Sequence, residues 1–251
     1  MVGSAGYPRS VFSPQGPSLR ELGVQALSSV ERGYDLLAPK FDHTPFRTSE
    51  SIVGATANAL AGLGPFDRGL DVCCGTGAGM RVLSSLCQGR ITGVDFSAGM
   101  LAQARSAYPD ARWVRADARA LPFTEDADLA VSFGAFGHFL PAERPALFEG
   151  IYRALRPGGL FTFAIAAPPP LTSVWHWATL GFDVVMRVRN AVWRPPFVMY
   201  YHTSPVPALC DELTAVGFTA TTVDLTDLGR YRDGSPRYRL ILARKPPTDP
   251  L

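Results

Sequence analysis

Leu70-Asp71-Val72-Cys73-Cys74-Gly75-Thr76-Gly77-Ala78-Gly79 is the stretch that decides the fold. Its first half is a short apolar run of the kind that forms a buried strand. Its second half is a glycine turn that opens a helix, expected over Ala78 to Cys87. Glycines let the backbone approach a ligand closely, and a helix start offers unpaired N–H groups. A dinucleotide fingerprint needs Gly-x-Gly-x-x-Gly. Counted from Gly75, the sixth position is Met80, so that fingerprint fails. Asp71, inside the strand end, would repel a pyrophosphate and suits a ligand carrying a cationic amine.

Outward from this stretch, short strands and helices alternate. RITGVDF, Arg112 to Ala116, DADLAVSF and LFTFAIA read as further strands, and Ser97 to Tyr108 and Pro141 to Leu155 as helices between them. Ser97 stands as an N-cap. Before the alternation, Leu19 to Leu37 carries helical spacing, and Thr48 to Leu63 is a second helix that Thr48 is placed to cap. After it come a helix over Pro205 to Val216 and strands over Phe218 to Leu225 and Tyr238 to Arg244. The pattern predicts an α/β fold, a doubly wound, Rossmann-like, seven-stranded and mostly parallel sheet. N-terminal helices precede it, and a helical apolar insertion follows the fifth strand. The expected organisation is a loose tail over 1–18, a helical cap over 19–64 and a sheet domain over 65–251, with the insertion at 167–204.

Two more acids follow strand ends. Asp95 closes Gly93-Val94-Asp95-Phe96-Ser97, where a carboxylate accepts from the hydroxyls of a ribose. Asp117, in Arg115-Ala116-Asp117-Ala118, is placed to accept from an adenine amino group. Amine, ribose and adenine in order along one sheet edge describe S-adenosylmethionine.

The chain resembles the class I S-adenosylmethionine-dependent methyltransferases over roughly Thr48 to Arg244. The matching stretches are LDVCCGTGAG (70–79), GVDFSAGML (93–101), RADARALPF (115–123), DLAVSFGAFGHF (128–139) and LRPGGLF (155–161). The first is similar to the quinone C-methyltransferases, and FSAGML to the broader small-molecule group. Cys73 departs from a position where the family often has glycine. The resemblance implies S-adenosylmethionine as cofactor, with Asp71, Cys73, Gly75 and Gly77 at its methionine end and Asp95 on the ribose. Phe96 and Met100 would flank the adenine, Asp117 and Ala118 meet its edge, and Phe133 and Gly134 lie near the sulfonium. Tyr34, in ERGYDLLAPKFD (31–42), resembles a tyrosine of an N-terminal segment that folds over the cofactor.

His138, just past the fourth strand, is the candidate catalytic residue: either a general base or a structural histidine that holds its loop. His176, Trp177, Tyr200, Tyr201 and His202, in or beside the insertion, are candidate substrate contacts. Trp175, Trp177, Phe182 and Trp193 read as a hydrophobic lid or as extra core. The insertion is also open to a second use, as the contact of a homodimer.

Composition narrows the partners. Charged residues are 18% of 251 and hydrophobic residues 47%, which supports a large core. Net charge is +2 and the pI about 8.4, too balanced for a dedicated nucleic-acid binder. The four cysteines lack a CxxC pair or zinc-like spacing, so reduced thiols, a cytoplasmic location and no metal are expected. No signal peptide is evident in the first twenty residues, and His176 and Asp183 interrupt the one window long enough for a membrane span. The favoured activity is methyl transfer to oxygen or carbon of a small lipophilic acceptor. The alternatives are a non-methylating reaction such as cyclisation, or a non-catalytic S-adenosylmethionine-binding module.

Overall fold

Alternate residues of the central strands bury themselves on opposite faces, so each strand feeds two cores at once. The computed structural model describes residues 13–201 and 205–248. Its seven strands are β1 (Gly69–Val72), β2 (Ile91–Asp95), β3 (Arg112–Arg115), β4 (Ala127–Ser132), β5 (Leu155–Ala166), β6 (Thr219–Asp224) and β7 (Tyr238–Arg244). They form one sheet in the order β3-β2-β1-β4-β5-β7-β6. β1 to β5 pair in parallel, and β7 is antiparallel to both β5 and β6. The chain runs outward from β1 to β3, then returns to lay β4 on the other side of β1. This reversal opens a crevice at the carboxyl ends of β1 and β4, the place where such sheets bind ligands.

One face is covered by α3 (Glu50–Leu60) and α4 (Met80–Leu86), which bury Val53, Leu60, Val82 and Leu83 against Leu129, Val131, Leu160 and Leu240. The other is covered by α6 (Arg144–Ala154) and α8 (Val206–Val216), with Leu147, Phe148, Ile151, Leu209 and Leu213 against Ala130, Phe161, Phe163 and Ile241. The buried Arg144 makes a two-pronged ion pair with Glu212, 2.7 Å at each contact, that ties these two helices together. α5 (Ala98–Ala107) starts at Ser97, whose side chain accepts from the Met100 N–H.

Local chemistry changes several expected boundaries. The helix expected over Leu19–Leu37 is two, α1 (Leu19–Leu27) and α2 (Val30–Leu37). Ser28 donates back to the Val24 carbonyl, and the neighbouring Ser29 accepts from the Arg32 N–H, so the pair ends one helix and starts the next. Ser49, not Thr48, caps α3, accepting from Ile52. Arg156 to Gly159 does not precede β5 as a separate turn but bulges from it, where the register with β4 shifts.

The insertion after β5 contains the 19-residue helix α7 (Val174–Val192), followed by an extended return from Trp193 to Tyr200. Residues 1–12 of the expected tail, and His202, lie outside the described residues.

Candidate active site

The end of β1 is under strain. Cys73 has φ 56°, in the left-handed region that costs an L residue about 1–2 kcal/mol. Glycine, the residue often found here in the family that the sequence resembles, would avoid that cost. Gly75 and Gly77 follow with φ of 52° and 99°. Gly79 is constrained by proximity: a Cβ there would lie 2.5 Å from Asp71 Cγ. The bare backbone instead donates its N–H to Asp71 Oδ2 at 3.0 Å.

Asp71 is completely buried, and its other oxygen, Oδ1, has no hydrogen-bond partner. Burial raises its pKa well above the usual carboxylate range, opposed by the Gly79 N–H and reinforced by nearby Asp95. An unpaired buried acceptor of this kind calls for a donor, ideally a cationic one. Asp95 sits better. Its Oδ2 accepts from the Gly75 N–H and its Oδ1 from the Ser97 N–H, both at 2.9 Å. Its pKa is also raised, by burial first, while these backbone donors pull it back. Each oxygen keeps a further lone pair for a ligand hydroxyl.

A cavity of about 920 Å³ opens at this edge. Its floor comes from Cys73, Cys74, Gly75, Thr76 and Ala78 of the glycine turn. Asp95, Phe96 and Met100 line it after β2, and Asp117 and Ala118 after β3. Phe133, Gly134 and His138 complete the wall beyond β4. Asp71 and Gly77 lie behind this lining. Asp117 does not stand free: Arg119 grips it, with Nε 2.9 Å from Oδ1, and holds its pKa below the usual range. Arg119 also bonds Glu143, so this acid–base chain joins the β3 loop to the approach to α6.

The opposite wall comes from the N-terminal helices and the insertion's return. Tyr34 Oη and His138 Nε2 are 2.7 Å apart, and His138 Nδ1 lies 2.7 Å from the Val198 carbonyl. A carbonyl only accepts, so the hydrogen is on Nδ1, and Nε2 accepts the Tyr34 O–H. Burial pushes the His138 pKa below its usual 6.5 and the Tyr34 pKa above its usual 10. Phe197 stacks near Tyr34, with ring centroids 6.5 Å apart. Gly137 meets the same segment backbone to backbone: a Cβ there would lie 2.5 Å from the Tyr200 carbonyl oxygen. Asn190 of α7 holds the return in shape, donating to the Phe197 carbonyl and Tyr200 Oη and accepting from the Phe197 N–H.

Of the insertion's candidates, Tyr200 lines the cavity, whereas His176, Trp177 and Tyr201 do not. His176 Nδ1 donates to the Pro169 carbonyl and Trp177 to the Leu171 carbonyl, so both pin the turn into α7. Trp175, Trp177 and Trp193 are 73%, 59% and 51% exposed, Phe182 packs on Tyr201, and none of the four is among the described residues that line the cavity. From the return, Val198 and Tyr200 line the cavity and Phe197 packs against Tyr34; Phe197 and Val198 carry no local sequence signal. Arg119 and Glu143 were likewise not singled out from sequence, although the alternating Arg115-Ala116-Asp117-Ala118-Arg119 places an arginine two residues from Asp117. Among the described residues, no cluster of His, Cys, Asp or Glu is arranged to hold a metal ion.

Residues 70–159 match the family described as "Methyltransferase domain". The chain is 38% identical over 95 residues to a 2-phytyl-1,4-naphtoquinone methyltransferase of Thermosynechococcus vestitus, covering 36% of this chain and 42% of that one. It is 32% identical over 126 residues to a demethylmenaquinone methyltransferase of Staphylococcus aureus, covering 48% and 52%. It thus spans about half the length of these relatives. Human N-acetylserotonin methyltransferase, solved with S-adenosylmethionine, shares the fold: TM-score 0.59 at 18% identity, over 92% of this chain and 60% of that one.

Proposed function

Taking residues 70–159 as the core of a class I S-adenosylmethionine-dependent methyltransferase fold, we propose that the chain methylates oxygen or carbon of a small lipophilic acceptor. The observation that carries this reading is one cavity in which Asp95, Met100, Asp117, Phe133, Tyr34 and His138 meet at the switch point of the sheet. The quinone acceptors in the relatives' names support the lipophilic class. In this reading residues 19–64 are a cap, and 167–204 close the acceptor side.

When bound, the sulfonium supplies a methyl group already activated for in-line displacement. The chain's work is therefore mainly to position the reactants and exclude water. Asp95 would hold the ribose hydroxyls with its two remaining lone pairs, and the unpaired Asp71 Oδ1, behind the lining, would draw the amine toward the glycine turn. Phe96 and Met100 would flank the adenine, and Asp117, paired to Arg119, would meet its amino group. Phe133 gives an apolar wall where positive charge is lost.

For a hydroxyl acceptor, Tyr34 Oη takes the acceptor's proton as its own passes to His138 Nε2. The deprotonated acceptor oxygen would then be the nucleophile for the methyl group that the bound sulfonium would supply, with sulfur as the leaving group. The depressed pKa keeps His138 neutral and ready near pH 7, and the Val198 carbonyl supports the imidazolium that forms. The reading includes a cytoplasmic location, supported by four free cysteines. It includes no nucleic-acid partner, supported by the near-neutral net charge.

Release of S-adenosylhomocysteine with a panel of naphthoquinols and substituted phenols tests the activity. One equivalent of S-adenosylhomocysteine per methylated acceptor is expected. Conversion of an acceptor without that release would overturn the reading.

A further inference from the structure

Helix α7 is apolar on the side that faces solvent. Val174, Trp177, Val184, Val185, Val188 and Val192 recur along one arc of the helix, every one of them exposed. No charged residue interrupts that arc. The helix's only carboxylate, Asp183, is buried on the inner face and accepts the Tyr201 N–H at 2.8 Å. Exposed apolar surface of this extent marks an interaction site.

Its surroundings indicate the occupant. Residues 167–201 carry three arginines and one carboxylate. Arg187, stacked on the Tyr200 ring, and Arg194 are exposed at the helix's C-terminal end, beside Trp193. At the other end, the loop 230–237 abuts the root of the insertion, with Tyr231 Oη donating to the Ala167 carbonyl. That loop adds Arg230, Arg232 and Arg237 against Asp233. Tryptophans near both ends of an apolar arc, with arginines beside it, match the water–hydrocarbon boundary of a bilayer and its anionic headgroups. A second copy of the chain would bring the same uncompensated arginines against themselves. α7 lies on this surface without crossing it, since no described helix is long and apolar enough to span a membrane.

We propose that α7 docks in the headgroup region of an anionic bilayer, apolar arc inward. The cavity lining at Arg194, Pro195 and Pro196 directly continues this helix, so docking holds the cavity beside the membrane. What enters there rests on the methyl-transfer reading; the docking does not.

Sedimentation with vesicles of equal parts dioleoylphosphatidylglycerol and dioleoylphosphatidylcholine tests it, with pure dioleoylphosphatidylcholine for comparison. The full chain is expected to bind the anionic vesicles at least about fivefold more tightly. The double variant Val185→Glu/Val188→Glu should weaken that binding by about tenfold or more, with the thermal midpoint and calorimetric S-adenosylmethionine affinity kept. In the unaltered chain, lipids brominated near the headgroup should quench tryptophan fluorescence, a readout independent of how the variant folds. An unaltered chain that stays in the supernatant with both vesicle types would overturn the proposal. So would a dimer that the double variant splits, because a second copy would then cover the face. Vesicle binding in a chain that does not bind S-adenosylmethionine would uphold the docking and remove the methyl-transfer reading.

Discussion

The cavity edge and helix α7 are both largely apolar, but they turn their few polar groups in opposite directions. At the edge, Asp71, Asp95 and Ser97 are buried beneath or beside an open cavity, and one carboxylate oxygen is left without a partner. On α7, Asp183 and Asn190 turn inward and are bonded to the return, while valine and tryptophan face outward. A buried acceptor without a donor reduces the stability of the ligand-free protein and favours a ligand that supplies the donor. An exposed apolar arc favours an apolar partner. The difference separates an edge suited to a small polar ligand from a surface suited to an apolar partner.

The largest effect expected at the cavity edge is on turnover. Tyr34→Phe removes the hydroxyl proposed to relay a proton to His138 and should lower kcat about 100-fold, with S-adenosylmethionine affinity unchanged in calorimetry. A rate that holds while affinity falls would make Tyr34 a wall and not a relay. Because burial lowers the His138 pKa, His138 gains a proton only below pH 6.5. The rate for a hydroxyl acceptor should therefore be flat across neutral pH and fall on the acid side of 6.5, with an acid limb that His138→Asn abolishes. Folding should weaken in the same direction. The unfolded chain binds that proton first as pH drops below 6.5, so stability is lost as pH falls.

Next in size is Gly79→Ala. Its methyl group would overlap the Asp71 carboxyl, so a loss of about 1–3 kcal/mol is expected, seen as a lower thermal midpoint. An unchanged midpoint would mean that Asp71 is freer to move than its burial implies.

Asp71→Asn acts in the opposite sense. Removing the buried charge should raise the thermal midpoint of the ligand-free protein by about 2–4 °C while weakening S-adenosylmethionine binding. A fall in both would show that the carboxylate is structural and not held in reserve for a ligand.

Smallest of all, Trp175→Ala at the exposed start of α7 should change stability by no more than about 0.5 kcal/mol and leave cofactor affinity alone. A large loss would place α7 inside the core, contrary to its exposure.

The same contrast explains what was legible in the sequence. The sheet and its edge acids were readable because their signals are local: apolar runs of strand length, a glycine turn, and an acid at or just past the end of each of three strands. The break between α1 and α2 is local as well, but two adjacent serines capping opposite helix ends are easily read through as one helical stretch. The insertion's share of the cavity wall was hidden for a different reason. Aromatic content pointed to the helix of the insertion, yet Phe197, Val198 and Tyr200 reach Tyr34, His138 and Gly137 across about 60 residues of sequence or more. Such long-range pairing leaves no periodic trace. The pairing of Asp117 with Arg119 is not legible in the sequence, because an arginine two residues on, beyond a strand end, is ordinarily solvated.

The edge at β1 and β2 is proposed to bind S-adenosylmethionine through its buried carboxylates. Calorimetric titration of S-adenosylmethionine into the unaltered chain and into Asp95→Ala tests it most directly. Saturable one-to-one binding is expected, weakened about 100-fold in the variant as two charge-assisted contacts are lost. Equal affinity in the two proteins, or no binding to the unaltered chain, would contradict it.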